Sequence, residues 1–140
     1  MFFQIGADIF VTMKEGQTIY YLDINNQDLH YLKHIIENLG HTIFIYKDGY
    51  KMMEDLSKLE TNPDLLFLGN NMPILNGKEL LVILKNSKKL NNIPVVVIAR
   101  VLPKKLMRLY IDNGVKHIIK KTHPSNYSAT FNKVLEMDFA

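Results

Sequence analysis

Five short apolar runs separated by helix-like patterns constrain the fold of this chain more than any other feature. The runs are TIYYL (18–22), TIFIY (42–46), DLLFLG (64–69), VVVIA (95–99) and HIIKK (117–121). Between them apolar residues recur at helical spacing, as in Leu29, Leu32 and Ile36. Continuously apolar strands that alternate with helices indicate a parallel sheet covered on both sides. The sequence therefore predicts an α/β fold, a five-stranded parallel sheet with helices on both faces.

The boundaries of these units indicate a single domain. Gly40 is expected to end the first helix and Asn113-Gly114 the fourth, because glycine accepts the backbone conformation that often closes a helix. With 140 residues and 47% hydrophobic content, the chain suits one compact core. We divide it into an N-terminal extension, residues 1–17, and one domain, residues 18–140.

Composition excludes several classes of function. The chain has no cysteine, so disulfides and thiolate sites are impossible. No apolar run approaches the ~20 residues that span a bilayer, and the opening segment is a poor secretory signal, which favours a soluble cytoplasmic protein without a membrane partner. The net charge is +3, but the lysines are scattered as pairs, which indicates a solvated surface and not a nucleic-acid site.

A functional site is expected at one edge of the sheet. In doubly wound parallel sheets the functional crevice lies beyond the carboxyl ends of the strands, where the strand order reverses. The residues at the five strand ends are Asp23, Ile24, Tyr46, Lys47, Gly69, Asn70, Asn71, Ala99, Arg100, Lys120 and Lys121.

Several motifs, in this order, resemble the receiver domains of two-component response regulators. They are LDINN after the first strand, PDLLFLGNNMPILNG across the third, IPVVVIA for the fourth and GVKHIIKK through the fifth. The resemblance covers about residues 18–137. It implies a flavodoxin-like (CheY-like) doubly wound sheet with strand order 2-1-3-4-5. It also implies a place in phosphorelay signalling and partners such as a histidine kinase or another regulator.

In that family an aspartate at the end of the third strand accepts a phosphoryl group. An acidic pair after the first strand helps it to hold magnesium, and a hydroxyl residue, a lysine and a switch aromatic complete the site. Carried over by position, the resemblance places the first acid at Asp23 and the lysine at Lys121. The remaining positions hold residues without the required groups: Ile24 for the second acid, Gly69 for the acceptor, Ala99 for the hydroxyl and Ile118 for the aromatic.

These departures predict a pseudo-receiver that is neither phosphorylated at this position nor an enzyme. Acyl-phosphate formation needs a carboxylate nucleophile, and Gly69 has no side chain. Magnesium prefers several carboxylate oxygens, so Asp23 with the backbone carbonyl of Asn71 would be a weak site. We therefore expect no cofactor and weak or absent magnesium binding.

Two further expectations concern the altered site. Lys121 is expected to reach Asp23 and to replace the cation; the alternative is that both side chains stay hydrated and apart. We attribute Gly69 to an unusual backbone conformation that glycine tolerates.

Two functions remain open at this point. The first is a stand-alone, phosphorylation-independent interaction module that presents a surface such as the last two helices and the fifth strand to a signalling protein or to a second copy of itself. The second is a sensor whose vacated pocket binds an anion or an apolar ligand, with Lys121 and Arg100 at its mouth.

Two other features are weaker signals. The segment DIFVTM (8–13) is expected to form an extra strand or an apolar arm that packs on its own domain or on a neighbouring subunit, because its apolar residues would be costly to leave in water. His30 and His34 have the spacing of zinc ligands on a helix, but HYLKH lacks the zinc-protease glutamate, so we expect surface residues.

Overall fold

The computed structural model describes residues 2–5, 9–12, 16–69, 77–121 and 127–137. Its strands are β1 (Phe2–Ile5), β2 (Ile9–Thr12), β3 (Thr18–Leu22), β4 (Thr42–Tyr46), β5 (Leu65–Gly69), β6 (Val95–Ala99) and β7 (His117–Lys120). Its helices are α1 (Asn26–Asn38), α2 (Gly49–Lys58), α3 (Gly77–Asn86), α4 (Lys104–Asp112) and α5 (Tyr127–Leu135).

The main sheet has the predicted topology. Its five strands are parallel and lie in the order β4-β3-β5-β6-β7, which is 2-1-3-4-5 when the strands from β3 onward are counted. All residues of β5 and β6 are buried, in accord with their unbroken apolar sequences. The predicted α/β architecture is therefore confirmed.

Helices pack on both faces of this sheet and form two apolar layers. One layer joins α2, α3 and α4 to side chains such as Tyr20 and Leu66. The other joins α1 and α5 to Ile19, Tyr21 and Phe67. Alternate residues of β3 thus face opposite layers, as the period of a strand requires.

Two helix ends follow the sequence signals. Gly40 and Gly114, with φ of 89° and 83°, lie two residues after the last residues of α1 and α4 and adopt the left-handed conformation that closes a helix. At the start of α1, the side chain of Asn25 accepts a hydrogen bond from the Asp28 N–H at 3.0 Å. This cap holds the first turn of α1 beside the end of β3.

The N-terminal extension contains two strands. β1 and β2 pair antiparallel with each other, in the register Phe2 with Thr12 and Ile5 with Ile9, and form a separate two-stranded sheet. Its packing partner stays a prediction. Among the described residues, no helix is long and apolar enough to cross a membrane.

Candidate functional site

A cavity of about 320 Å³ opens at the carboxyl ends of the sheet strands, where the sequence predicts a site. It is lined by Asp23, Ile24, Asn25, Ile98, Ala99, Arg100 and Lys121. Three elements supply these residues: the loop after β3, the end of β6 and the residue after β7. The fold thus brings together Asp23 and Lys121, which are 98 positions apart.

Asp23 is buried at the end of β3 and its carboxylate is fully engaged. The side chain is only 5% exposed. One oxygen accepts a hydrogen bond from the Tyr21 hydroxyl at 2.7 Å, and the other accepts from the Ile24 N–H at 2.7 Å. A longer contact of 3.4 Å comes from the Asn25 N–H. These donors hold the carboxylate in one orientation.

Lys121 bridges two carboxylates. Its Nζ lies 3.2 Å from an oxygen of Asp23 and 2.6 Å from an oxygen of Asp28, which belongs to the first turn of α1. The side chains of the three residues are 5–11% exposed. The predicted contact between Lys121 and Asp23 is present, and the alternative of two separate hydrated side chains is wrong.

Asp28 is the residue that sequence analysis missed. The site contains two acids and not one, and Lys121 balances the charge of both. The pair of Lys121 and Asp23 is also buried, with side chains 11% and 5% exposed. The available signal was the capping pattern from Asn25 to Asp28, which puts an acid in the helix turn that follows Asp23.

The surroundings shift the pKa values of two groups in this network. Burial lowers the pKa of Lys121, but the hydrogen bond to Asp28 and the charge of Asp23 outweigh it and raise that pKa above its usual value. Burial, with the adjacent charge of Asp23, raises the pKa of the Tyr21 hydroxyl far above its usual range. Lys121 is therefore charged, and Tyr21 is a neutral hydrogen-bond donor, at neutral pH.

These shifts predict a loss of stability at alkaline pH. A group whose pKa is raised by folding contributes fully below its unfolded-state pKa, about 10 for both residue types, and its contribution falls as the pH rises above that value. We expect the free energy of unfolding, measured in urea, to decline as the pH rises above about 10. Tyr21→Phe should make this decline shallower; an identical decline in wild type and variant would contradict the prediction.

Gly69 is explained by the position of Asp23. A Cβ atom added to Gly69 would lie 2.6 Å from Cγ of Asp23 and 2.7 and 2.9 Å from its two oxygens. Gly69 is not among the glycines with positive φ, so an unusual backbone conformation is the wrong explanation. The Asp23 carboxylate fills the space that any side chain at position 69 would need.

The other carried-over positions are apolar and partly line the cavity. Ile24 contributes its backbone N–H to Asp23, while its side chain is 44% exposed. Ala99 is buried at the end of β6, and Ile118 packs against the layer formed with α2, α3 and α4. None of these side chains can donate a hydrogen bond to a phosphoryl oxygen.

Some of the predicted strand-end residues lie outside the cavity. The Tyr46 hydroxyl donates to Asp55 of α2 at 2.7 Å, and Lys47 and Lys120 are exposed. These three residues are not part of the cavity lining. Asn71, with the rest of the loop 70–76, lies outside the described residues.

The described side chains suit magnesium poorly. Two carboxylates face the site, but the ammonium group of Lys121 already lies within hydrogen-bond distance of both. A divalent cation there would have to displace that ammonium group or lie beside it, and the like charges would repel. The donor set is therefore that of a closed ion-pair network.

His30 and His34 do not belong to a metal site with a third ligand among the described residues. His30 and His34 are exposed on α1, and a nitrogen of His34 lies 3.2 Å from the side-chain amide of Asn38. Within the described ranges, no group of three or more histidine, aspartate or glutamate residues is placed to hold a metal.

Comparison with known protein sequences gives a partial match. No family model matches the chain. The chain is 32% identical over 89 residues to "Two-component response regulator ORR11" of Oryza sativa, in both the indica and the japonica subspecies. The match covers 63% of this chain, and the chain spans 60% of the length of these relatives.

Solved structures match over a larger part of the chain. The phosphorylated cyanobacterial phytochrome response regulator RcpA has a TM-score of 0.73 at 23% identity, over 86% of this chain and 89% of that one. The Mn²⁺-bound response regulator Rcp1 gives 0.76 at 20% identity, over 87% and 96%. CheY4 of Vibrio cholerae gives 0.72 at 15% identity, over 85% and 98%. These matches confirm the CheY-like fold.

Proposed function

We propose that this chain, which has the CheY-like receiver fold, is a pseudo-receiver that acts in two-component signalling without being phosphorylated. The observation that carries the proposal is the contact between Gly69 and Asp23. The acceptor position has no side chain, and the carboxylate of Asp23 occupies the space where one would lie. This arrangement supports the proposal that the domain is not phosphorylated at position 69.

The ion-pair network supports the same proposal. In a receiver that works, a metal ion neutralises the clustered acids. Here the ammonium group of Lys121 balances Asp23 and Asp28 within the chain. This internal charge balance supports a site that does not need a metal ion to neutralise its acids.

The exposed side of α4 supports a role in protein binding. The apolar side chains of Met107 and Ile111 are exposed on α4, and that of Val101 is exposed in the segment before it. The surrounding exposed cations are Arg100, Lys104, Lys105 and Arg108, and none is in an ion pair with a described residue. Apolar side chains rimmed by unpaired charge are typical of binding surfaces. We propose that this surface binds a kinase or another regulator.

The alternative, a sensor of small anions or apolar ligands, receives less support. The cavity beside Ala99 exists, but Lys121 is already bound to two carboxylates. Arg100 remains as the exposed cation at its mouth. One exposed guanidinium without a buried partner is a weak anion site.

The proposal predicts that a small phosphodonor leaves the protein unmodified. Incubation with acetyl phosphate and magnesium, followed by intact mass measurement, should show no gain of about 80 Da, the mass of one phosphoryl group. A receiver that retains its acceptor aspartate, treated in parallel, is the positive control. A stable gain of that mass that is abolished by Asp23→Asn would overturn the proposal.

A further inference from the structure

An open groove beside α1 and the start of α5 is the strongest additional candidate for a binding site. Its volume of about 530 Å³ lies within the range of roughly 300–1,000 Å³ that is usual for small-molecule sites. The described residues that line it are Gln27, Asp28, His30, Tyr31 and His34 of α1 and Tyr127 of α5. Because α1 and α5 cover one side of the sheet and α4 the other, this groove is separate from the surface of α4.

Two tyrosine rings form an aromatic wall of the groove. The ring of Tyr31 meets that of Tyr127 edge to face, with a centroid distance of 5.7 Å and an angle of 65°. Tyr127 is buried and its ring also contacts Phe131, which fixes it to the apolar layer under the helices. Tyr31 is 43% exposed. The faces of such rings are negative and attract cations within about 6 Å.

Asp28 brings negative charge to the same groove. One of its oxygens lies 2.6 Å from Nζ of Lys121, but that ammonium group also lies 3.2 Å from an oxygen of Asp23. Two carboxylates therefore share one cation, and the three side chains together keep one negative charge. Among the described residues that line the groove, Asp28 is the only carboxylate and none is a lysine or an arginine.

The charge of Asp28 also acts on the aromatic wall. Burial raises the pKa of the Tyr127 hydroxyl and the charge of Asp28 raises it further, while Lys121 and Arg100 each lower it to a smaller degree. Asp28 is thus the charged group with the largest effect on Tyr127. The carboxylate and the tyrosine pair belong to one electrostatic environment.

We infer that this groove binds a small organic cation, an amine or quaternary ammonium group attached to an apolar body. Tyrosine rings beside a carboxylate recognise such a ligand, because the rings contact its apolar body and attract its charge, and the carboxylate adds to that attraction. An anion would be repelled by Asp28. The site is distinct from the cavity beside Ala99, and it does not depend on the proposed loss of phosphorylation.

Titration of the full-length protein with two probes of opposite charge, followed by NMR, tests the inference without any variant. Benzyltrimethylammonium carries a cation on an aromatic body, and phenylacetate carries an anion on a similar body. The cation should shift the backbone amide signals of Gln27, Tyr31 and Tyr127 in a saturable way, with a Kd of about 1 mM, and phenylacetate should bind at least about tenfold more weakly. Equal binding of the two probes, or no saturable shift at these amides, would overturn the inference.

Replacing Tyr31 with alanine tests the aromatic wall. Tyr31→Ala should weaken binding of benzyltrimethylammonium at least about fivefold, because one of the two rings is removed. Tyr50→Ala is the matched control, since Tyr50 is 60% exposed at the start of α2, on the other side of the sheet, and its loss should leave the affinity unchanged. The amide spectrum of each free variant shows that it is folded. An unchanged affinity of Tyr31→Ala would place the bound cation elsewhere and contradict the inference.

A charge added to the rim gives a measurement that leaves both tyrosines in place. His34 is exposed in the groove, so His34→Lys should weaken binding of benzyltrimethylammonium and strengthen that of phenylacetate. Val82→Lys adds the same charge on α3, on the other side of the sheet, and should change neither affinity. If His34→Lys and Val82→Lys had the same effect on both probes, the groove would not be the site.

Discussion

Replacing Lys121 with methionine is expected to lower the free energy of unfolding by about 3–5 kcal/mol, the usual cost of removing one partner from a buried ion pair. The replacement keeps the length and apolar stem of the side chain but leaves the carboxylates of Asp23 and Asp28 without their cation. Both carboxylates are buried, so water compensates little. Urea unfolding at neutral pH measures the change.

The exposed neighbour Lys120 supplies the control for this experiment. Lys120→Met removes the same charge one position away, where the side chain is exposed, and should change stability by less than about 0.5 kcal/mol. Magnesium should restore part of the lost stability of Lys121→Met, because the freed carboxylates attract a cation, and should leave the wild type unchanged. A loss below about 1 kcal/mol for Lys121→Met would show that the network is unimportant.

The second large loss of stability is expected from substitutions at Gly69. Restoring the family's acceptor by Gly69→Asp should not restore phosphorylation, and it should destabilise the protein more than Gly69→Ala does. The alanine variant alone should cost about 1–3 kcal/mol, because its Cβ would lie 2.6 Å from Cγ of Asp23. Aspartate adds a second buried negative charge against Asp23. Urea unfolding and the phosphodonor assay measure the two effects.

A double-mutant cycle with Asp23 tests whether the cost of Gly69→Ala comes from contact with the Asp23 carboxylate or from the backbone at Gly69. In the Asp23→Ala background the carboxylate is gone, so Gly69→Ala should cost less than about 1 kcal/mol. An equal cost in both backgrounds would mean that the backbone at Gly69, and not contact with Asp23, requires the glycine. Phosphorylation of the single Gly69→Asp variant would likewise contradict the proposal that Asp23 closes the acceptor position.

Most of the fold could be predicted because its signals are local. The apolar run of β6 and the glycine after α1 each depend on a few neighbouring residues. The site at the carboxyl ends of the strands followed from the alternation of strands and helices alone. The N-terminal hairpin was less clear, since its apolar residues indicated a strand but not its partner.

The site was predicted only in part because its contacts join distant residues. Lys121 and Asp28 are 93 positions apart, and their contact depends on how the first turn of α1 meets the end of β7. No spacing in the sequence reports that distance. The same holds for Gly69, whose fit with Asp23 depends on the position of a carboxylate on a neighbouring strand.

The sequence by itself determined the parallel sheet covered by helices, because residue types and their periodicity carry that information, and the resemblance of its motifs to receiver domains implied the strand order. Only the tertiary structure decided that Asp28 joins the site and that Lys121 balances two acids. It also decided that the carboxylate of Asp23 fills the space beside Gly69. The physical reason is that short-range packing and ion pairing depend on interatomic distances of a few ångströms, which residue order does not specify.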